Sequence, residues 1–181
     1  MGRAGTAGCL FRLCEGADRC AITTSASRKL RDCLGTLLRR CGKLLTMIRI
    51  REIDHLVLRV VDLERMLRFY CGALGCSVER RQDAIGLVQL RAGRSLIDLV
   101  PVDGKLGKAG GAAPGAEARN LDHFCLRVES FDEADIRSHL ERHGVEAGQV
   151  ESRYGAEGEG PSIYLADPEG NVVELKGPPA D

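Results

Sequence analysis

The sequence predicts an α+β fold in which two βαβββ units form an incomplete barrel. The segments IDHLVLRV (53–60) and LDHFCLRV (121–128) agree at five of eight positions and lie 68 residues apart. Each is followed by a segment with helical spacing of apolar residues and then by three short apolar segments separated by turn residues. Because one such unit leaves a sheet face open, two copies are expected to pack against each other.

The first unit opens with the strand 53–60, whose side chains alternate between two faces. His55 falls on one face, whereas Leu56 and Leu58 fall on the other. The segment DLERMLRFYCGALG (62–75) predicts an amphipathic helix with Asp62 as its N-cap and Gly75 past its end. Three strands are predicted to follow, around CSVERR, IGLVQLRA and SLIDLVPV.

The second unit repeats this order after DGKLGKAGGAAPGAEARN (103–120), a segment rich in Gly and Ala that is either a link or a mobile lid. Its helix is predicted within 130–144, with a capping box at Ser130 and Glu133. Strands are expected around AGQVESRY, PSIYLAD and NVVELKG. The segment DPEGN (167–171) predicts the turn that joins the last two strands.

Composition divides the chain into a leader (1–46), the two-unit domain (47–177, with units at 48–103 and 119–177) and a short tail (178–181). The leader carries nine Arg or Lys against three Asp or Glu. We expect it to be disordered or not native, with translation starting at Met47. The alternative is a basic amphipathic helix that lies on an anionic membrane or serves as a transit peptide.

Bulk composition excludes several classes of protein. Acidic and basic side chains balance at 26 each, and Trp is absent, so neither nucleic-acid binding nor base stacking is indicated. No run of 18 apolar residues occurs, so no transmembrane segment is expected. Five of eight cysteines lie in the leader and none forms a CxxC pair, which favours reduced thiols and a cytoplasmic location.

Four polar residues interrupt apolar strands at equivalent places in the two units. His55 and His123 lie on the first strand of each unit, and Asp98 and Glu174 lie between apolar neighbours on the last strand. A buried carboxylate needs a partner, and imidazole with carboxylate suits Zn²⁺, Ni²⁺, Fe²⁺, Co²⁺ or Mn²⁺. The four residues therefore predict a divalent metal site with positions open for a small-molecule substrate.

Other interpretations of these residues stay open. Asp98 could pair with Arg94 or Arg127, and a strand histidine is often structural. Arg153, in the glycine-rich loop 153–162, is a candidate for binding a substrate carboxylate, although such a loop can be a plain connection. The histidines of HLERHG (139–144) lack the HExxH glutamate and are expected on a solvated helix face.

The pattern resembles the vicinal oxygen chelate superfamily, which includes glyoxalase I, extradiol dioxygenases and bleomycin-resistance proteins. The resemblance is carried by DHLVLRVVDLERMLRFYCGALG, LDHFCLRV and SIYLADPEGNVVEL, and it extends from Ile48 to about Gly177. It implies metal ligands at His55, Asp98, His123 and Glu174. Asp98 stands where glyoxalase I is expected to have a glutamate.

The resemblance implies three alternative functions. The first is glyoxalase I-type isomerisation of a thiohemiacetal, with Glu174 as the base. The second is an Fe²⁺ extradiol dioxygenase that uses His55, His123 and Glu174, with Tyr154 or Tyr164 as an acid–base group. The third is a non-catalytic binding protein of the resistance type. A homodimer is expected, and His55 and Asp98 of one chain can combine with His123 and Glu174 of its partner.

Overall fold

The computed structural model describes residues 48–180. Both hypotheses about the leader (1–46) concern residues outside this range. The first unit consists of strand β1, helix α1 with a π-helical turn, and three strands; the second contains strand β5, helix α2 and three strands. The elements are β1 His55–Val60, α1 Leu63–Leu67, the π turn Arg68–Ala73, β2 Ser77–Gln82, β3 Leu87–Ala92, β4 Ser95–Pro101, β5 His123–Arg127, α2 Glu133–Arg142, β6 Glu151–Gly155, β7 Gly158–Ala166 and β8 Val172–Lys176.

The strands form two four-stranded sheets of identical topology, in the orders β1-β4-β3-β2 and β5-β8-β7-β6. In each sheet the first strand of the unit runs parallel to the last, and the other pairs are antiparallel. This arrangement confirms the predicted duplication of a βαβββ unit. The described helices include none that is long and apolar enough to cross a membrane.

Alternation along β1 and β5 separates a core face from an open face. Leu58 and Val60 are fully buried, whereas His55 and Val57 are exposed on the opposite side. On β5 the same parity buries Phe124 and leaves His123 exposed. Side chains from both units and both helices join one hydrophobic core, so the histidines lie on the side of each sheet that faces away from that core.

Helix α1 begins as predicted but does not continue as a regular α-helix. Asp62 caps it by accepting a hydrogen bond from the Arg65 backbone N–H at 2.9 Å. The chain then widens into the π turn, where the Leu74 N–H reaches the Phe69 carbonyl at 3.2 Å. The wider turn accompanies burial of two consecutive aromatic residues, Phe69 and Tyr70, whose rings meet edge to face at 5.1 Å.

Helix α2 has a different N-cap from the one predicted. The Asp132 carboxylate accepts from the Asp135 N–H at 3.0 Å, and the helix starts at Glu133, so the capping box at Ser130 was wrong. Asp is as favourable an N-cap residue as Ser. Because the helix starts two residues later than predicted, Phe131 lies outside it and packs against the core. His139 also differs from prediction. Instead of facing solvent, its Nε2 lies 2.9 Å from the Ala73 carbonyl oxygen of the first unit.

The DPEGN turn joins the two units as well as forming a hairpin. The buried Asp167 carboxylate accepts hydrogen bonds from the Tyr70 hydroxyl at 2.8 Å and from the Asn171 side-chain amide at 2.7 Å. Glu169 accepts from the backbone N–H groups of Val61 and Asp62, at the start of α1. Residues of the second unit therefore satisfy polar groups of the first, which fixes the packing of the two units.

The segment between the units is tied to β1. Arg59 donates hydrogen bonds to backbone carbonyls of Gly107, Gly111 and Ala112. Asn120 both donates to the Arg59 carbonyl and accepts from its N–H, at 2.9 and 3.1 Å. These contacts favour a fixed link over a mobile lid, because opening the segment would break several hydrogen bonds at once.

The Tyr70 hydroxyl is expected to make stability depend on alkaline pH. Burial, and then the Asp167 carboxylate, raise the pKa of Tyr70 far above its ordinary value. The unfolded chain releases this proton near pH ~10 and the folded chain does not, so the free energy of unfolding should fall above that pH by up to ~1.4 kcal/mol per pH unit. Urea denaturation at pH 8 to 11 measures this slope.

A Tyr70→Phe variant serves as the comparison for that pH dependence. It should be less stable at pH 8 by about 1–3 kcal/mol, since Asp167 loses a donor, and the difference should shrink above pH 10. Parallel curves for the two proteins across this range would contradict the role assigned to Tyr70.

Candidate metal centre

The first pair of candidate ligands lies on adjacent parallel strands of the first unit. His55 stands at the start of β1 with 48% of its side chain exposed. Asp98 lies on β4, opposite Val57 in the register, and is only 5% exposed. Its two carboxylate oxygens each accept from Gln89 Nε2 on β3 at 3.1 Å. The donor to this buried carboxylate is a neutral amide rather than a cation, an environment that suits a nearby metal ion.

The second pair repeats this arrangement in the second unit. His123 opens β5 with 42% of its side chain exposed, and its Nε2 lies 3.8 Å from Glu174 Oε2. Glu174 on β8 is 6% exposed, and its other oxygen accepts a hydrogen bond from the Ser162 hydroxyl. Again a neutral donor holds a buried carboxylate, and a histidine stands at the exposed end.

An aspartate that precedes each histidine orients the imidazole ring. His55 Nδ1 lies 2.8 Å from Asp54 Oδ1, and His123 Nδ1 lies 2.6 Å from Asp122 Oδ2. Because a carboxylate accepts, the ring proton belongs on Nδ1, and Nε2 keeps its lone pair for a metal. The hydrogen bond to Asp54 raises the pKa of His55, an effect that burial partly offsets. Sequence reasoning overlooked these aspartates, although the repeated Asp-His dipeptide signalled them.

Two further groups lie beside the second pair. The Tyr164 ring on β7 meets His123 edge to face at 5.8 Å. Burial and the Glu174 carboxylate raise the pKa of Tyr164, whereas a hydrogen bond with Arg153 lowers it. Cys125 faces the same side as His123, and burial followed by the Glu174 carboxylate raises its pKa to about 11. The Cys125 thiol is therefore protonated at neutral pH.

The two pairs do not meet within one chain. In residues 48–180, no three His, Cys, Asp or Glu side chains lie close enough together to hold one metal ion. Each unit instead presents one histidine and one carboxylate on the open face of its sheet. The donor set fits a divalent metal, because each pair combines a free imidazole nitrogen with a buried carboxylate.

The arginines considered as alternative partners of Asp98 bind elsewhere. Arg94 pairs with Glu52 at 2.8 Å, and Arg127 pairs with Glu157 at 2.7 Å. Arg153 lies on β6 and contacts both Glu151 and Tyr164, which places its guanidinium near the second pair. Gln89 and Ser162 had no assigned role from the sequence, and their positions became evident only from strand pairing; Tyr164 was one of two tyrosines considered as an acid–base group.

A family model described as the Glyoxalase/Bleomycin resistance protein/Dioxygenase superfamily matches residues 52–175. The chain belongs to this superfamily. Its match spans both βαβββ units, including all four candidate ligands. The superfamily assignment agrees with the resemblance inferred from the sequence, and it leaves the particular reaction open, because one fold hosts several chemistries.

Two curated relatives exceed 30% identity. Virulence protein STM3117 of Salmonella typhimurium is 32% identical over 133 residues, which cover 70% of this chain and 83% of that protein. Glyoxalase domain-containing protein RDO1 of Mycosarcoma maydis is 34% identical over 128 residues, covering 70% and 68%. The crystal structure of STM3117 superposes with a TM-score of 0.60 at 29% identity, over 72% of this chain and 99% of that one.

A further superfamily relative carries a named activity. Catechol-2,3-dioxygenase of Bacillus subtilis is 27% identical over 125 residues, which cover 68% of this chain but 40% of that protein. The likeness therefore extends over less than half of the dioxygenase.

Proposed function

We propose that the protein is a metal-dependent isomerase of the glyoxalase I type whose active site forms between two copies of the chain. The observation that carries this proposal is the pair of half-sites, each with an exposed histidine beside a buried carboxylate on an open sheet face. His55 and Asp98 of one protomer would complete the site with His123 and Glu174 of its partner.

These four side chains would hold Zn²⁺, Ni²⁺, Fe²⁺, Co²⁺ or Mn²⁺ by two imidazole nitrogens and two carboxylates. When bound, the metal supplies Lewis acidity to two vicinal oxygens of the substrate. The Asp54 and Asp122 carboxylates fix the ring orientation of both histidines, so the donor atoms are preset before any ligand arrives.

The substrate of this proposed reaction is the thiohemiacetal of a 2-oxoaldehyde and a thiol. Glu174 acts as the base that moves a proton between the two adjacent carbons, because its Oε2 faces the open side while Ser162 holds its Oε1. Arg153, which contacts Tyr164 at the rim of the second pair, would bind a carboxylate of the thiol portion.

Apolar exposure on the open faces supports the homodimer. Val57 is 49% exposed although it belongs to a strand. It lies on β1 between His55 and Arg59 and opposite Asp98 in the register, so exposed apolar area adjoins the first half-site. Burying such area against a second copy is favourable at ~25 cal/mol per Å², and it would remove water from the metal centre.

Turnover of a 2-oxoaldehyde with a thiol cofactor tests the proposed reaction. The purified protein loaded with Ni²⁺ or Zn²⁺ should form the 2-hydroxyacyl thioester, followed by its ultraviolet absorbance. A Glu174→Gln variant should lose about 10²–10⁴-fold in kcat, since the base is removed. The matched control is Glu157→Gln, which removes an exposed carboxylate that pairs with Arg127. Absence of turnover with every common thiol cofactor would exclude this reaction.

Tyr164 supports a second candidate function, extradiol cleavage of a catechol by an Fe²⁺ enzyme. Its ring lies 5.8 Å from that of His123, whereas Tyr154 is 82% exposed, which favours Tyr164 over Tyr154 as the acid–base group of such a reaction. Oxygen consumption by the Fe²⁺-loaded protein with catechol separates this reaction from isomerisation. Tight binding of a drug-like ligand by metal-free protein, without either activity, would instead indicate a binding protein.

A further inference from the structure

A second concave surface lies between the helices, apart from the candidate metal centre. It is a cavity of about 690 Å³ with walls from helix α1 and its π turn, the C-terminal end of α2, and the end of β7. Its lining includes none of the four candidate ligands and none of Gln89, Ser162 and Tyr164. The superfamily reaction therefore leaves this cavity without a role.

Arginines from both units converge on this cavity. Arg65 and Arg68 line it on helix α1 and its π turn, and Arg142 and His143 line it at the C-terminal end of α2. Within the described residues, no carboxylate oxygen lies within 4.0 Å of these three guanidinium groups. Other surface arginines of the same chain do pair, as Arg91 does with Glu79 and Arg137 with Glu133. Arg142 Nη1 donates to the Ser138 hydroxyl at 2.7 Å, which is neutral, so the three guanidinium groups have no anionic partner among the described residues.

The carboxylates at the cavity do not balance these charges. Glu146 and Asp167 both line it. Asp167 is committed to the joint between the units, where it accepts four hydrogen bonds from Tyr70, Glu169 and Asn171. The lining holds three arginines against two carboxylates, and this excess of positive charge attracts an anion to the concave surface.

Apolar residues form the floor of the cavity. A hydrogen-bond contact connects the two helical segments that form its walls. Phe69 and Ala73 are buried at its base, and Val145 is half-buried beside them. The contact between His139 Nε2 and the Ala73 carbonyl, at 2.9 Å, ties one wall to the other. Small-molecule sites typically span ~300–1,000 Å³, and the volume of about 690 Å³ lies within this range and exceeds what a single phosphate ion needs.

We propose that this cavity binds an organic phosphate with two or more negative charges. Planar guanidinium groups bind phosphate oxygens in bidentate fashion, and three of them can hold a diphosphate. The apolar floor would take the organic portion. This inference is independent of the proposed isomerase function, since it uses no residue assigned to that reaction.

Isothermal titration of the full-length protein in EDTA tests the proposal with ADP, inorganic pyrophosphate and citrate as probes. EDTA removes any contribution from a metal that the probes could chelate. We expect ADP to bind more tightly than pyrophosphate, because of the apolar floor, and citrate to bind most weakly. Binding should weaken as salt increases, as expected for charged contacts.

The Arg68→Gln/Arg142→Gln variant should bind ADP at least ~10-fold more weakly, since each charge-assisted hydrogen bond contributes about 1.5–3 kcal/mol. The Arg80→Gln/Arg94→Gln variant removes the same charge from exposed positions that do not line the cavity, and it should bind like the parent protein. Thermal denaturation verifies that both variants fold. Absence of ADP and pyrophosphate binding, equal losses in both variants, or citrate binding as tightly as ADP would overturn the proposal.

Discussion

Two inactive variants are expected to restore metal binding and turnover when they assemble in one dimer. A His55→Ala/Asp98→Asn chain and a His123→Ala/Glu174→Gln chain each lack one half-site. A heterodimer of the two has one site with four ligands and one with none. Random assembly into two-fold dimers should therefore recover about a quarter of the wild-type sites. Co-expression with two different tags, followed by elemental analysis and activity assay, measures this recovery.

The matched control for complementation combines two variants of the same half-site. A His55→Ala chain mixed with an Asp98→Asn chain should restore no four-ligand site. Every site in every dimer uses His55 and Asp98 of one chain, and each chain in this mixture lacks one of these two ligands. Recovery in this control, or no recovery in the first mixture despite heterodimer formation, would contradict a site shared between protomers. Turnover of an isolated monomer would contradict it as well.

Replacement of Asp167 by Ala is expected to destabilise the fold by about 3–5 kcal/mol, because buried donors lose a charged acceptor. The carboxylate is 4% exposed and accepts from Tyr70, Asn171 and Glu169 at 2.7–2.9 Å. Urea denaturation measures the loss in free energy of unfolding.

The comparison variant for this loss is Asp83→Ala, whose side chain is exposed in a turn. It should change stability by no more than ~0.5 kcal/mol. An Asp167→Asn variant should fall between the two, since its side-chain oxygen still accepts. A loss below 1 kcal/mol for Asp167→Ala would show that the joint between the units does not depend on this carboxylate.

Strand alternation and duplication allowed the fold to be predicted from the sequence. The paired segments at 53–60 and 121–128 located β1 and β5, and Asp62 was recognised as a cap because capping depends on local sequence. Local pattern could not reveal the π turn or the cap at Asp132. Both reflect packing of Phe69, Tyr70 and Phe131 against a core drawn from both units.

The sequence located the four candidate residues on the first and last strand of each unit, but it did not reveal the contacts around them. Histidine and carboxylate on apolar strands indicated a metal, and the equivalent positions in both units identified the pairs. The neighbours Gln89 and Ser162 lie on other strands, so their contacts depend on sheet register, which a single sequence does not specify. His139 was assigned to solvent because helix periodicity alone does not show which surface the other unit covers.

The joint at the DPEGN turn has a consequence for synthesis on the ribosome. Tyr70 and Asp167 are 97 positions apart, and Glu169 accepts from backbone N–H groups just before helix α1, more than 100 residues earlier in the chain. The Tyr70 hydroxyl and the N–H groups of Val61 and Asp62 therefore acquire these partners only when nearly the whole chain has left the exit tunnel. Closure over so long a separation slows folding, so we expect the first unit to complete its packing only after the second unit has been synthesised.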